Sequence, residues 1–290
     1  MTGSTGLFGS AFNKFNENKF TIYNHIHIKI NKFLKKKFLL NLNSLREVDN
    51  FVKKNKIEII IHAAALTDVD YCEKNKKAAY LTNVNITLVL LKVCKKYNVK
   101  LIFLSTDQLF NGKRKVYSEK SKYTPVNYYS STKVLSEIKI KKNYKNYIII
   151  RTNFFGYGFK ERKSFSDFIL NSISKKRNVY LFNDVKFNPV YLKSLVIIIN
   201  KMIFENLRGT FNVSSDQCLS KYEFGIRLAK RFNLSANYIQ KSKIEKFTNL
   251  VTRPKNMFLN NSKIKKKLKI KKICINSEIK KFYNDKYLFN

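Results

Sequence analysis

The sequence predicts an α/β protein: a doubly wound parallel sheet with a smaller C-terminal α/β subdomain. Three observations carry that reading. Strand-like and helix-like segments alternate through the first half of the chain. Several of the strand-like segments are continuous apolar runs, the pattern of strands buried on both faces. Three of the eight glycines in 290 residues fall at a three-residue period within the first nine positions.

In chain order, residues 20–30, 38–42, 57–65, 100–105 and 147–152 are rich in Ile, Phe, Leu and Tyr and are expected as strands. Residues 44–55, 78–97 and 128–140 between them carry helical patterns. Such alternation, with right-handed crossovers, gives a parallel sheet covered on both faces. After Thr152 the pattern loosens. Helices are expected over 164–174, 191–204 and 221–232 and short strands over 179–182 and 210–213, and a lysine-rich amphipathic tail begins at Lys263. There are no repeats and no low-complexity linker, so the second part is expected to pack on the first.

Composition limits the function classes. At 44% hydrophobic, the chain can bury a sizeable core. Its longest apolar runs, near 196–199 and 59–65, fall far short of the ~18 residues of a membrane span. Met1 runs straight into small polar residues, so no secretory signal is expected. Cys72, Cys94, Cys218 and Cys274 lie far apart, with no Cys-x-x-Cys pair and no histidine nearby. Neither a metal site nor a disulfide framework is expected, and a reduced, cytoplasmic protein is. The net charge of +39 invites a nucleic-acid reading. But Lys, Asn, Ile, Phe and Tyr abound throughout, Gly, Pro and Trp are scarce, and the lysine runs at 35–37, 141–142 and 265–267 are scattered. A composition-wide bias explains this better, so no nucleic-acid or membrane partner is expected. The charge can still attract an anionic substrate.

Three motifs carry chemistry. Gly3-x-x-Gly6-x-x-Gly9 is a glycine-rich turn entering a helix. It lets backbone N–H groups approach a pyrophosphate at a helix N-terminus, as in a Rossmann-type dinucleotide fold. Such a fold needs a buried strand immediately before the loop. Only Met1 and Thr2 precede Gly3, so the sequence predicts an incomplete central strand, by preference because the true start lies upstream and otherwise because the chain is clipped. Tyr129-x-x-x-Lys133 lies on a predicted helix that starts after Thr124-Pro125, with both side chains on one face. The ammonium is expected to lower the Tyr129 pKa and make the phenol a competent proton donor to a carbonyl oxygen. Ser105-Thr106-Asp107 ends a predicted strand, where ligands of open α/β sheets sit, and a hydroxyl there can polarise a carbonyl. Each motif alone also reads as a plain turn or a surface pair. The three together, in this chain order, shift the balance toward catalysis.

The constellation resembles the extended short-chain dehydrogenase/reductases, and within them the dTDP-4-dehydrorhamnose reductase family. The resemblance runs through residues 2–9, 62–70, 83–85, 105–112, 125–133, 151–156, 188–191, 221–224 and 253–256. It implies an NAD(P)-binding Rossmann domain over 1–153 and a mainly substrate-binding subdomain over 154–290, with part of 187–213 returning to the first. It implies that Gly3, Thr5, Gly6, Leu7 and Gly9 cradle the cofactor and that Ala63, Ala64 and Ala65 line it. Thr106, Tyr129 and Lys133 match the catalytic residues, with Tyr129 and Lys133 also touching the cofactor. Asp70, Asp107, Phe154 and Arg253 match the substrate pocket, with Arg253 placed for a diphosphate. The implied reaction is reduction of a nucleotide-linked 4-keto-6-deoxysugar, most directly dTDP-4-dehydrorhamnose to dTDP-rhamnose in surface-polysaccharide biosynthesis. NADPH is the expected donor, with NADH possible, and a homodimer is a possible assembly.

Some positions depart from the family pattern. Ser130 replaces a common Gly, Phe154 a common Trp, and Asn41 a common Asp at the adenine. Near Asn24 and His25 there is neither an acid for an NAD ribose nor an Arg for an NADP phosphate. His25, His27 and His62 are expected to be structural. The alternatives are another nucleotide-sugar reductase or epimerase, a non-catalytic cofactor-binding regulatory subunit, and a decayed protein.

Overall fold

In the computed structural model, which describes residues 1–16, 18–26, 34–158 and 163–287, the glycine-rich opening leads directly into helix α1 (Leu7–Lys14). Two short parallel strands follow, β1 (Asn24–His25) and β2 (Lys37–Phe38). The strand expected over 20–30 is therefore two residues long among those described, and 27–33, His27 included, lie outside them. The strand expected over 38–42 stops at Phe38; beyond it the Leu40 carbonyl meets His25 Nε2 at 2.8 Å. Helix α2 (Leu45–Lys54) starts where Ser44 accepts the Glu47 N–H, and it buries Val48 and Val52.

Strand β3 (Ile59–His62) ends before Ala63. The single helix expected over 78–97 is divided. Helix α3 (Val69–Lys74), capped by Asp68, leads to α4 (Lys76–Tyr80), a π-helical turn over Leu81–Asn85, and α5 (Ile86–Tyr97). Such turns are rare and concentrate at functional sites. Strand β4 (Lys100–Leu104) is buried at every residue. Helix α6 (Tyr128–Asn143) is capped by Asn127, and β5 (Tyr147–Thr152) and β6 (Phe154–Phe155) follow.

The rest alternates short elements. These are α7 (Phe165–Ser174), β7 (Val179–Phe182), β8 (Lys186–Phe187), β9 (Val190–Tyr191), α8 (Leu192–Phe204) and β10 (Gly209–Val213). Then come β11 (Leu219–Ser220), α9 (Lys221–Arg231), β12 (Ile239–Ser242), α10 (Ser262–Lys267) and α11 (Ile275–Asn284). Both α7 and α9 begin with a full capping box, Ser164 with Asp167 and Ser220 with Glu223. The lysine-rich tail folds back: Ile275, Ile279 and Phe282 are buried, and Glu278 accepts the Tyr191 N–H at 3.0 Å.

The main sheet runs β10-β5-β4-β3, all parallel. Beyond β3, Thr2 forms a parallel bridge to His62, and the His25 N–H reaches the Met1 carbonyl at 3.0 Å. Met1–Thr2 is thus a two-residue stub of the central strand. It joins the four-stranded half of the sheet to the β1–β2 pair. This is a Rossmann-type α/β fold with the loop of Gly3 at the point where strand order reverses. Outside it, β7–β12 and β6–β9 pair in parallel and β8–β11 antiparallel.

Candidate active site

The glycine loop is packed so closely that Gly3 and Gly9 have no room for a side chain. Gly3 has φ +71°, and a Cβ there would stand 2.6 Å from the Ala64 nitrogen. A Cβ on Gly9 would meet the Gly3 carbonyl oxygen at 2.2 Å. Gly6 is the N-cap of α1 and makes no side-chain cap, so N–H groups of the first turn, at Leu7 and beyond, are left for an anion. Thr5 lies in this turn, and Ala63, Ala64 and Ala65 run beside it, half-buried. This cradle fits a dinucleotide pyrophosphate.

Thr2 fixes the loop to the sheet through a buried histidine. Its hydroxyl lies 2.8 Å from His62 Nδ1, and it accepts the Ala64 N–H at 3.2 Å. On the other side, His62 Nε2 is 3.0 Å from Thr87 Oγ1, which donates to the Asn83 carbonyl. Thr87 must therefore accept from Nε2–H, and Nδ1 accepts from Thr2. Burial, with Lys133 nearby, lowers the His62 pKa to about 3, so the ring is neutral. Asn83, in the π-helical turn, holds both the N–H and C=O of Leu66 and also donates to Thr132 Oγ1 at 3.1 Å. It ties the loop after β3 to the helix carrying Tyr129.

At the end of β4 the predicted catalytic residues come together. Thr106, Asp107, Tyr129 and Lys133 are all buried. Tyr129 lies against the Thr106 hydroxyl, but burial, with Asp107 adding to it, raises the phenol pKa. The expectation that Lys133 lowers it is thus not met. Burial outweighs it: Lys133 Nζ donates to the Leu104 carbonyl at 2.8 Å and sits 4.0 Å from the Phe103 ring centroid. Burial brings Lys133 itself down to about 7, against the opposing pull of Glu137.

Asp107, expected in the substrate pocket, has a charged neighbour in Lys221, to which the sequence analysis gave no role. Asp107 accepts from Asn153 Nδ2 at 2.9 Å, and burial pushes its carboxyl up to about 6 despite the nearby Lys221. Burial brings Lys221 down to about 8; its ammonium lies over Phe187 at 3.3 Å. Lys221 fell inside a segment of the family resemblance, but its role was not legible, because the charge interaction joins residues far apart in the chain. Beneath the site, Ser105 donates to Glu137 at 2.6 Å, and Glu137 is paired with the fully buried Arg151 at 2.7 Å. Burial opposes ionisation of Glu137, but the Arg151 guanidinium holds its pKa below the usual range.

The remaining predicted residues stand further along the cleft. Arg253 is paired with Asp70, and the hydrogen bond from Arg253 holds the Asp70 carboxyl low. Arg253 Nη1 also donates to the Val251 carbonyl at 2.8 Å, so part of its donor set is already used. Phe154 is half-buried, 6.3 Å between centroids from Phe8 of α1. Among the described residues no helix is long and apolar enough to cross a membrane, and no cluster of His, Cys, Asp or Glu could hold a metal.

Comparison with known proteins places this site in a family. A family model described as the RmlD substrate binding domain matches residues 1–288. The chain is 23% identical over 274 residues to a probable low-salt glycan biosynthesis reductase of Haloferax volcanii, covering 92% of this chain and 91% of that one. It is 26% identical over 259 residues to methionine adenosyltransferase 2 subunit beta of Xenopus laevis, covering 83% and 73%. Among solved structures, the dTDP-4-dehydrorhamnose reductase of Bacillus anthracis in complex with NADP superposes with a TM-score of 0.84 at 24% identity, over 98% of this chain and 97% of that one. With a glycine cradle at the switch point and the family model spanning nearly every residue, the chain belongs to the RmlD substrate-binding-domain family.

Proposed function

We propose that this protein is an NADPH-dependent oxidoreductase, with NADH as a possible donor. Its substrate is a nucleotide-linked 4-keto-6-deoxysugar, most directly dTDP-4-dehydrorhamnose, and it acts in glycan biosynthesis in the cytoplasm. The observation that carries the reading is the convergence of Thr106, Tyr129 and Lys133 after β4, beside a glycine loop with no room for a Cβ at Gly3 or Gly9. The NADP-bound structural neighbour and the reductase among the relatives support the class. On this reading residues 1–153 mainly hold the cofactor and 154–290 mainly the sugar nucleotide.

The chain's own groups suit the chemistry. Held between the loop and Ala63–Ala65, NAD(P)H would supply hydride to the keto carbon. Tyr129, kept protonated by burial, is the acid for the keto oxygen. Thr106, whose Oγ1 lies 3.3 Å from Asp107 Oδ1, orients that oxygen. Lys133, poised near neutrality, can return a proton to the phenolate. Arg253 and Lys221 are the cations placed for the diphosphate and the sugar edge.

The test is NADPH oxidation in the presence of dTDP-4-dehydrorhamnose, alongside NADPH titration. Turnover that disappears in Tyr129→Phe supports the proposal. Tight NADPH binding without turnover of any 4-keto sugar nucleotide overturns it. That result favours the second reading, a regulatory subunit, which the relative named as a subunit of methionine adenosyltransferase supports.

A further inference from the structure

Lys221 stands where stability alone would not place an ammonium. It is the first residue of α9, after the N-cap Ser220, so its charge lies at the positive end of the helix dipole. Burial also opposes that charge and brings its pKa down to about 8. Its Nζ lies 3.3 Å from the Phe187 ring centroid and 4.9 Å from that of Phe165. Both rings pack on Phe224, at 5.5 Å and 6.1 Å between centroids, and Leu219 pairs with Phe187 across β11 and β8. The ammonium is therefore held in place by aromatic faces. Among the described residues it makes no hydrogen bond and no ion pair at contact, so its three N–H donors are unused.

The charge that acts on it is that of Asp107, which follows β4 of the main sheet. Asp107 Oδ2 accepts from Asn153 Nδ2 at 2.9 Å, and Oδ1 lies 3.3 Å from Thr106 Oγ1. The Asn153 carbonyl in turn accepts the Val190 N–H at 2.9 Å, three residues along from Phe187. One short stretch of chain thus carries the ring beneath Lys221 and ties down the partner of Asp107. The ammonium and the carboxylate act on each other without touching, beside the hydroxyl assigned to the keto oxygen.

We propose that Lys221 is a specificity-determining residue of this site: it donates to the sugar hydroxyl next to the keto carbon, while Asp107 accepts from the same hydroxyl. The inference rests on the reductase reading and narrows its substrate class to sugar nucleotides that keep that hydroxyl. Thr106 Oγ1 and Asp107 Oδ1 are close enough to serve oxygens on adjacent ring atoms. In a 4-keto-6-deoxyhexose the carbons beside the ketone are C3, with a hydroxyl, and C5, with the methyl group. The hydroxyl is therefore the one at C3. A hydroxyl has one donor and two acceptor lone pairs, so it satisfies the carboxylate and the ammonium together. A diphosphate in that place would meet the Asp107 carboxylate as a like charge, which leaves the diphosphate to Arg253.

The experiment is a calorimetric cycle on the full chain with NADPH bound, a state in which the product sugar cannot react. Dissociation constants of dTDP-rhamnose, its 3-deoxy analogue and dTDP are measured for the wild type and for Lys221→Met. In the wild type, loss of the hydroxyl should weaken binding at least about tenfold, as for a hydrogen bond to a charged group. In Lys221→Met the same loss should cost less than about threefold, with dTDP-rhamnose weakened towards its analogue. Binding of dTDP should stay within about twofold in both, which also shows that the variant is folded. Equal sensitivity to the hydroxyl in both proteins overturns the proposal. So does a wild type indifferent to the hydroxyl, a result that needs no variant. Weakening of dTDP as large as that of dTDP-rhamnose puts Lys221 on the diphosphate and overturns it too. If Lys221→Met does not fold, Lys221→Gln serves in its place, with the discrimination falling at least about threefold. NADPH oxidation with dTDP-4-dehydrorhamnose separates the two readings. The expected cycle without turnover keeps this inference and removes the reductase reading. Turnover without the cycle does the reverse, and no binding of dTDP-rhamnose overturns both.

Discussion

The two halves of the sheet that meet at the glycine loop are built to different standards. On one side β3, β4, β5 and β10 form four parallel strands of four to six residues, with every residue of β4 buried. On the other side a two-residue stub, β1 and β2 stand over a cavity of about 470 Å³. On the proposed reading the closed half carries the proton chemistry, because Thr106 follows β4 and Tyr129 and Lys133 sit on α6. The open half carries the cradle for the dinucleotide. The difference shows that a glycine turn can be held closely, with Gly3 against Ala63 and Ala64, by neighbours outside long strands.

That contrast can be sharpened by mutation. The largest effect is expected in the closed half, where Tyr129→Phe should lower turnover by about 10²–10⁴-fold while leaving NADPH affinity within about threefold. Steady-state rates and fluorescence titration check this. Next, Glu137→Ala would strand the buried Arg151 charge and should cost about 3–5 kcal/mol in urea unfolding. In matched truncations, Leu101→Ala in β4 should fall near the top of the range of about 2–5 kcal/mol. Leu90→Ala should fall near the bottom, because Leu90 already borders the cavity and loses fewer contacts. Equal costs would remove the distinction. In the open half, Gly9→Ala should abolish measurable NADPH binding with only partial loss of stability, since its Cβ would displace the Gly3 carbonyl.

Acid should separate the halves more gently. One buried base belongs to the open half, His62, lowered from 6.5 to about 3. It binds a proton more readily when unfolded, so stability is full above pH 6.5 and falls as the pH drops from 6.5 towards 3. Glu137, whose pKa is lowered by Arg151, contributes fully above the ordinary carboxylate pKa and loses that contribution as the pH falls from there through its lowered value. Amide exchange at pH 5.5 should therefore accelerate around Thr2 and His25 before it does in β4 and β5.

Much of the fold was legible in the sequence because burial on both faces writes continuous apolar runs. The segments around β3, β4 and β5 are of this kind, and the capping residues Ser44, Ser164 and Ser220 mark their helices. The strand expected over 20–30 was overextended because its Ile- and Phe-rich composition says nothing about which residues find a partner. The helix expected over 78–97 hid the π-helical turn, since its apolar period runs on unbroken while the backbone shifts register at Leu81–Asn85. The site followed the same rule. Glycines at a three-residue period, and hydroxyl, Tyr and Lys residues in a fixed order, were visible from their types. The sequence by itself determined the strand–helix alternation, the glycine turn and the candidate acid. Only the tertiary structure decided that Lys133 donates to Leu104, that burial raises the Tyr129 pKa, and that the charges of Lys221 and Asp107 interact. Those depend on distances between residues remote in the chain, and burial, which sets each group's charge, exists only once the chain has folded.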